Sequence, residues 1–113
     1  MTQVAEAYES TKITLDSPPY QVTAGDKVTF HGKLTTASGK SISGVTVYIK
    51  DEDSWGRDDL IAKTGTGSNG KFGVTVTAKD WDKWSVATEI YAKFEGTSNY
   101  QNSKSKSYDM YVN

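Results

Sequence analysis

Cysteine is absent from the 113-residue chain, histidine occurs once, at His31, and the only two prolines are the adjacent Pro18 and Pro19. Without thiols there is no disulfide framework and no thiolate metal centre, and one imidazole cannot build a histidine cluster or a Cys/His relay. Long hydrophobic runs are missing too: nothing approaches the ~20 apolar residues that cross a bilayer as a helix, so no direct membrane insertion is expected. Charge of one sign is also lacking. Lys and Arg number 13 against 14 Asp and Glu, a formal net charge of -1, so bulk charge offers nothing to nucleic acid or to an anionic membrane. The opening MTQVAEAYES has no basic region followed by an apolar stretch and reads as a linker over residues 1–10. A single domain is then expected over 11–113, a length that buries about two-thirds of the unfolded surface.

Helical periodicity is the remaining absence, and what replaces it is alternation. Apolar residues recur at every second position, carried by β-branched and aromatic side chains. Ile13 and Leu15 alternate with Lys12 and Thr14 until the proline pair stops the run, since proline cannot donate to a central ladder. Val28, Phe30, Gly32 and Leu34 share one parity, with Thr29, His31 and Lys33 on the other, the mark of a strand buried on one face. Val45, Val47 and Ile49 predict a third strand, Leu60 to Thr66 a fourth, and Phe72, Val74 and Val76 a fifth. Trp84, Val86, Thr88, Ile90, Ala92 and Phe94 predict a sixth, and Tyr108, Met110 and Val112 a seventh. Between the fourth and fifth, Asn69-Gly70 is the dipeptide that most readily accepts the positive φ angles of a tight hairpin. Seven short strands with turn signals every dozen or so residues define an all-β, seven-stranded antiparallel β-sandwich.

The stretches VTAGDKVTFHGKL, SGVTVYIKD, SNGKFGVTV and YAKFEGTSNYQNSKS together resemble the immunoglobulin-like modules repeated in prokaryotic cell-surface and secreted proteins. The resemblance spans residues 11–112. It implies a noncatalytic spacer, stalk or adhesion unit, extracellular or at the cell surface, in a polypeptide with neighbouring domains, and a monomer when isolated. A second resemblance, to the transthyretin-like sandwich, is carried by DDLIAKTGTGSNGKF; it alters the topology label more than the function.

Residues 51–61, DEDSWGRDDLI, hold five carboxylates in nine positions. Connections of a sandwich alternate between its two ends, which predicts Asp51, Asp53, Asp58 and Asp59 close to Asp80 and Asp82 at one pole. Lys40, Lys71, Lys104 and Lys106 are expected at the other. Calcium takes six to eight oxygen ligands, and an Asp-x-Asp spacing brings two carboxylates to one point from a bent loop. Those six aspartates are therefore the candidate calcium ligands, and the stretch locally resembles the calcium loop of C2 domains. An EF-hand is excluded: Ala62 stands where a bidentate glutamate should close the site, and the flanks are strands. The plainer reading has the charges blunting an exposed hairpin end against edge-to-edge association.

Trp55 and Trp81 sit in charged loops at the same expected pole and are the candidate ligand-binding residues, stacking on a glycan or meeting a protein partner; alternatively they fold back as lids over the end of the core. Trp84 has core parity. Tyr20, Tyr48, Tyr91 and Tyr111 are expected to cover neighbouring strands with their hydroxyls in water. No enzyme is expected: paired carboxylates of a glycosidase need a sugar-sized cleft, His31 faces solvent on its strand, and neither Ser54 nor Ser68 has a base placed beside it. The glycine-rich GTGSNG and ASGKSISG lack the strand-to-helix context of phosphate loops.

Overall fold

In a computed structural model the chain is described over residues 9–52, 58–79, 81 and 87–113. The strands are β1 (Thr11–Leu15), β2 (Gln21–Val22), β3 (Lys27–Thr36), β4 (Thr46–Asp51), β5 (Asp59–Gly65), β6 (Lys71–Thr77), β7 (Thr88–Phe94), β8 (Ser103–Lys104) and β9 (Tyr108–Val112). They form two layers. The smaller sheet runs β1-β3-β6 and the larger β2-β9-β7-β4-β5, with β8 also paired to β7. The seven expected strands are all present, as β1, β3, β4, β5, β6, β7 and β9; β2 and β8 are additional, and β5 lies beside β4 rather than on the β3–β6 sheet.

Both additions have local causes. Pro18 and Pro19 cannot supply ladder donors, so the chain leaves the smaller sheet after Leu15 and resumes against the larger one. There β2 pairs β9 in parallel, Gln21 with Tyr111 and Val22 with Val112, the one parallel pairing between the named strands. The last strand is interrupted at Ser105, whose buried hydroxyl accepts from the Ala92 N–H at 2.9 Å while its own N–H donates to the Ala92 carbonyl at 2.9 Å. A side-chain oxygen thus replaces one backbone acceptor, and the strand divides into β8 and β9. The sixth expected strand is described from Thr88 only; Trp84 and Val86 lie outside the described residues.

The alternating residues meet between the sheets. Phe30, Leu34, Val47, Ile49, Ile90, Ala92, Phe94 and Met110 are each at most 2% exposed. Each large apolar side chain buried this way contributes ~1.5–3 kcal/mol, and together they fix the register, because a one-residue slip would turn every one of them to water. On β5 the register shifts opposite Ile49 and Lys50, which makes Ile61 an extra residue in an edge strand. Bulges of this kind twist an edge away from intermolecular pairing. The β5–β6 connection passes between the two sheets instead of forming the expected tight hairpin, because β5 pairs with β4 and β6 with β3; it uses Gly70, at φ +78°, after a turn closed by Gly70 N–H to Gly67 O at 2.9 Å. Asn69 keeps a negative φ and its Oδ1 instead accepts from the Lys71 N–H at 3.1 Å. The expected glycine is in place, but the turn needs one left-handed residue rather than two.

The connections sort to two poles. At one, Glu9 is zipped to the β7–β8 loop by Glu9 N–H to Asn99 O and Gln101 N–H to Glu9 O, each near 3.0 Å. Glu9 is therefore joined to the body, two residues before the expected domain boundary. The Gly70 carbonyl accepts from Leu34 and the Thr66 carbonyl from Gly44, tying β3 and the β3–β4 connection to the β5–β6 connection at this end. At the other pole Gly25 and Ala78 bond the β2–β3 turn to the residues after β6, and Asn113 bonds to Val22 and Ala24. The body thus begins at one pole and ends at the other.

Candidate functional site

The acidic stretch enters from β4 and returns in β5, and the strand alternation decides where its carboxylates point. Asp51 continues the parity of Val47 and Ile49, so it is turned inward and only 2% exposed. Asp58 goes the opposite way: it receives a short hydrogen bond from the Tyr91 hydroxyl on the outer face of the larger sheet. Asp59, the register partner of Asp51, is exposed at the start of β5. Asp58 therefore turns away from Asp51, whereas Asp59 stands opposite Asp51 across the ladder. Asp53, Asp80 and Asp82 lie outside the described residues, and among the described residues no group of three or more His, Cys, Asp or Glu is placed to hold a metal.

Tyr91 departs from its expected wet position. It is 4% exposed, enclosed by Asp58 on one side and by the Lys104 ammonium 4.4 Å from its ring centroid. Burial first, then the hydrogen bond and negative charge of Asp58, push its phenol well above the ordinary tyrosine range. Beside it Glu52 accepts a hydrogen bond from the Ser107 hydroxyl at 2.6 Å. The acidic return is in this way stitched to the outer face of β7 and to the β8–β9 segment. Lys104 and Lys106 are correspondingly drawn along the sheet, over Tyr91 and Tyr108, rather than to the opposite pole.

Of the candidate ligand-binding tryptophans, Trp81 is half-buried and packs against the hydrophobic core, the lid position; Trp55 lies outside the described residues. Tyr20 remains exposed at 66% and tilts against Tyr111 with ring centroids 4.9 Å apart. Their hydrogen bond raises the Tyr111 phenol. His31 faces solvent as expected, paired to Asp16 at 2.6 Å between Nδ1 and Oδ2. The sequence reading missed the Asp58–Tyr91–Lys104 assembly. Its three members come from three strands or their margins, and no local spacing in the chain brings them together.

Two packed layers, antiparallel but for the β2–β9 pairing, with a filled interior define the class, an all-β sandwich domain. The chain belongs to the transthyretin-like family TTR-52, whose family model matches residues 31–108, so the second of the two resemblances is the one that the match bears out. No curated protein matches the sequence. Among solved structures the chain is similar to dimeric latent PorU from Porphyromonas gingivalis, at a TM-score of 0.63 and 13% identity over 91% of this chain and 12% of that one. It is also similar to a β-glucosidase from Listeria innocua in complex with isofagomine, at a TM-score of 0.47 and 14% identity, covering 95% of this chain and 16% of that one. The chain spans a small part of either protein, and at these identities the likeness to PorU concerns the fold alone.

Proposed function

We propose that the chain is a noncatalytic structural module of an extracellular or cell-surface protein, a spacer or adhesion unit set in series with neighbouring domains. The observation that carries this reading is the placement of the two ends of the body: Glu9 is bonded beside Asn99 and Gln101 at one pole, and Asn113 beside Val22 and Ala24 at the other. A body entered at one end and left at the other transmits tension along its strands. Under such tension the parallel β2–β9 bonds, including Tyr111 N–H to Tyr20 O at 2.8 Å and Asn113 N–H to Val22 O at 2.9 Å, are loaded in shear and must break together.

Asp51 and Asp58 point to opposite sides of the sheet, and the proposed role rests on the chain ends rather than on calcium. Pulling the chain from both ends in a single-molecule force measurement tests the proposal. One cooperative event lengthening the chain by roughly 300 Å, from about 3.5 Å per unfolded residue less the folded length, is the expected result. Gradual extension at low force would refute a load-bearing role. Retention on a glycan array that is lost when Trp55 and Trp81 are replaced, the fold being intact, would replace the spacer with a ligand-binding module.

A further inference from the structure

The β5–β6 connection places an exposed asparagine, Asn69, directly before a glycine, Gly70. That pair carries its own reaction. The Gly70 backbone nitrogen is held within reach of the Asn69 side-chain amide by the chain itself, so attack on Cγ is intramolecular, and glycine has no Cβ to obstruct it. Attack forms an N–Cγ bond and breaks the Cγ–Nδ2 bond; ammonia leaves, and the Gly70 proton passes to solvent base. Water then opens the resulting succinimide. Opening at Cγ restores the original backbone with aspartate at position 69, whereas opening at the main-chain carbonyl routes the chain through the side chain, an isoaspartyl linkage longer by a methylene. Asn99 and Asn102 precede Tyr100 and Ser103, whose side chains stand in the way of the same attack.

In the folded turn the reacting groups are engaged elsewhere. Gly70 N–H donates to Gly67 O at 2.9 Å, Asn69 Oδ1 accepts from the Lys71 N–H at 3.1 Å, and the Asn69 carbonyl accepts from the Ser41 hydroxyl at 2.9 Å. The Gly70 carbonyl in turn accepts from the Leu34 N–H at 2.9 Å. An amide nitrogen attacks only after losing its proton, and a carbonyl acceptor holds that proton in place without removing it. The imide nitrogen carries no proton, so ring closure also abolishes the bond to Gly67. Nor can the glycine be exchanged to remove the hazard. Gly70 has φ +78°, and a Cβ there would lie 2.5 Å from the Leu34 carbonyl oxygen and 3.2 Å from Ser41 Cβ. The fold requires the residue that makes Asn69 reactive. We propose that Asn69 is a covalent modification site gated by this turn, unreactive while the β5–β6 connection is closed on Ser41 and β3 and converted to aspartyl and isoaspartyl forms when that pole opens. The aspartyl product keeps the side-chain acceptor for Lys71 and recloses. The isoaspartyl product does not, because its longer backbone displaces Gly70 from a site with no room for a methyl group, so an opening leaves an irreversible record.

The test follows the full chain in mildly alkaline buffer, natively and in denaturant, by mass-spectrometric peptide mapping in heavy-oxygen water. Denatured chains should convert at Asn69 ahead of Asn99 and Asn102, and native chains roughly tenfold or more slowly, the reaction waiting on local opening. Denaturant too weak to unfold the domain should already raise the native rate. Ser41→Ala, which removes one restraint from an exposed position, should speed native conversion several-fold and leave the denatured rate unchanged. The purified isoaspartyl chain should melt below the parent, and Asn69→Asp should melt with it. Equal native and denatured rates, native conversion that Ser41→Ala leaves unchanged or slows, or an isoaspartyl chain as stable as the parent would overturn the proposal.

Discussion

Adding one methyl group at Gly32 should unfold this domain more effectively than most deletions from its surface. Gly32 has inward parity on β3, opposite Leu15 on one side and Phe72 on the other. A Cβ there would lie 1.9 Å from the Thr14 carbonyl oxygen, 2.9 Å from the Thr14 carbonyl carbon and 2.7 Å from Phe72 Cζ. The Phe72 ring can turn, but the Thr14 carbonyl is backbone and must retreat by about an ångström to restore ordinary contact, taking β1 and its buried Ile13 and Leu15 with it. Overpacking costs ~1–3 kcal/mol, and a disturbed ladder bond adds about 1 kcal/mol. Gly32→Ala should therefore cost about 2–4 kcal/mol, which for a domain of this size lowers Tm by roughly 10–25 °C. Gly73 is the internal control. It sits in the adjoining strand opposite His31, its added Cβ meets only His31 Cβ at 3.6 Å and the Phe30 carbonyl at 3.8 Å, and Gly73→Ala should be neutral or stabilise by up to ~1 kcal/mol. Thermal denaturation followed by circular dichroism compares the two. Equal Tm shifts for both variants would refute the steric reasoning and with it the close approach of β1 to β3.

Tyr91→Phe should flatten the loss of stability at high pH. The folded-state pKa is raised above the unfolded value of ~10, so the stability it contributes is intact below pH ~10 and falls as the unfolded phenol ionises above it. Tyr111, raised as well, keeps part of the slope, which a Tm-versus-pH series above pH 10 in the parent chain and in Tyr91→Phe separates. Gly70→Ala should cost ~1–3 kcal/mol in denaturant titrations, because its φ is +78° and its Cβ would lie 2.5 Å from the Leu34 carbonyl; an unchanged midpoint would show that the β5–β6 turn does not need a left-handed residue there. Phe94→Ala, emptying a site that is 2% exposed, should cost ~3–5 kcal/mol by the same measurement.

Much of the architecture was legible because it rests on period-two patterning, which strands express locally. Val28, Phe30 and Leu34, or Val47 and Ile49, announce both a strand and its buried face, and the expected hairpin glycine, Gly70, is at the left-handed position. What could not be read was pairing. That β5 joins β4 rather than β6, or that two residues after a proline pair run parallel to β9, follows from long-range contacts that leave no mark in local spacing. The same limit explains the site. Asp51 and Asp58 look equivalent in a run of acids, yet parity and the return in β5 turn one into the interior and the other onto Tyr91.

The placement of the chain ends at opposite poles can be measured directly. The native sequence has no cysteine, so spin labels at Ser10→Cys and Asn113→Cys report a single distance by pulsed electron resonance. Roughly 35 Å, about ten strand residues at ~3.4 Å each, is the value predicted for a module entered at one end and left at the other. A distribution centred below ~20 Å, on the order of six strand residues, would place both ends at one pole and contradict the account.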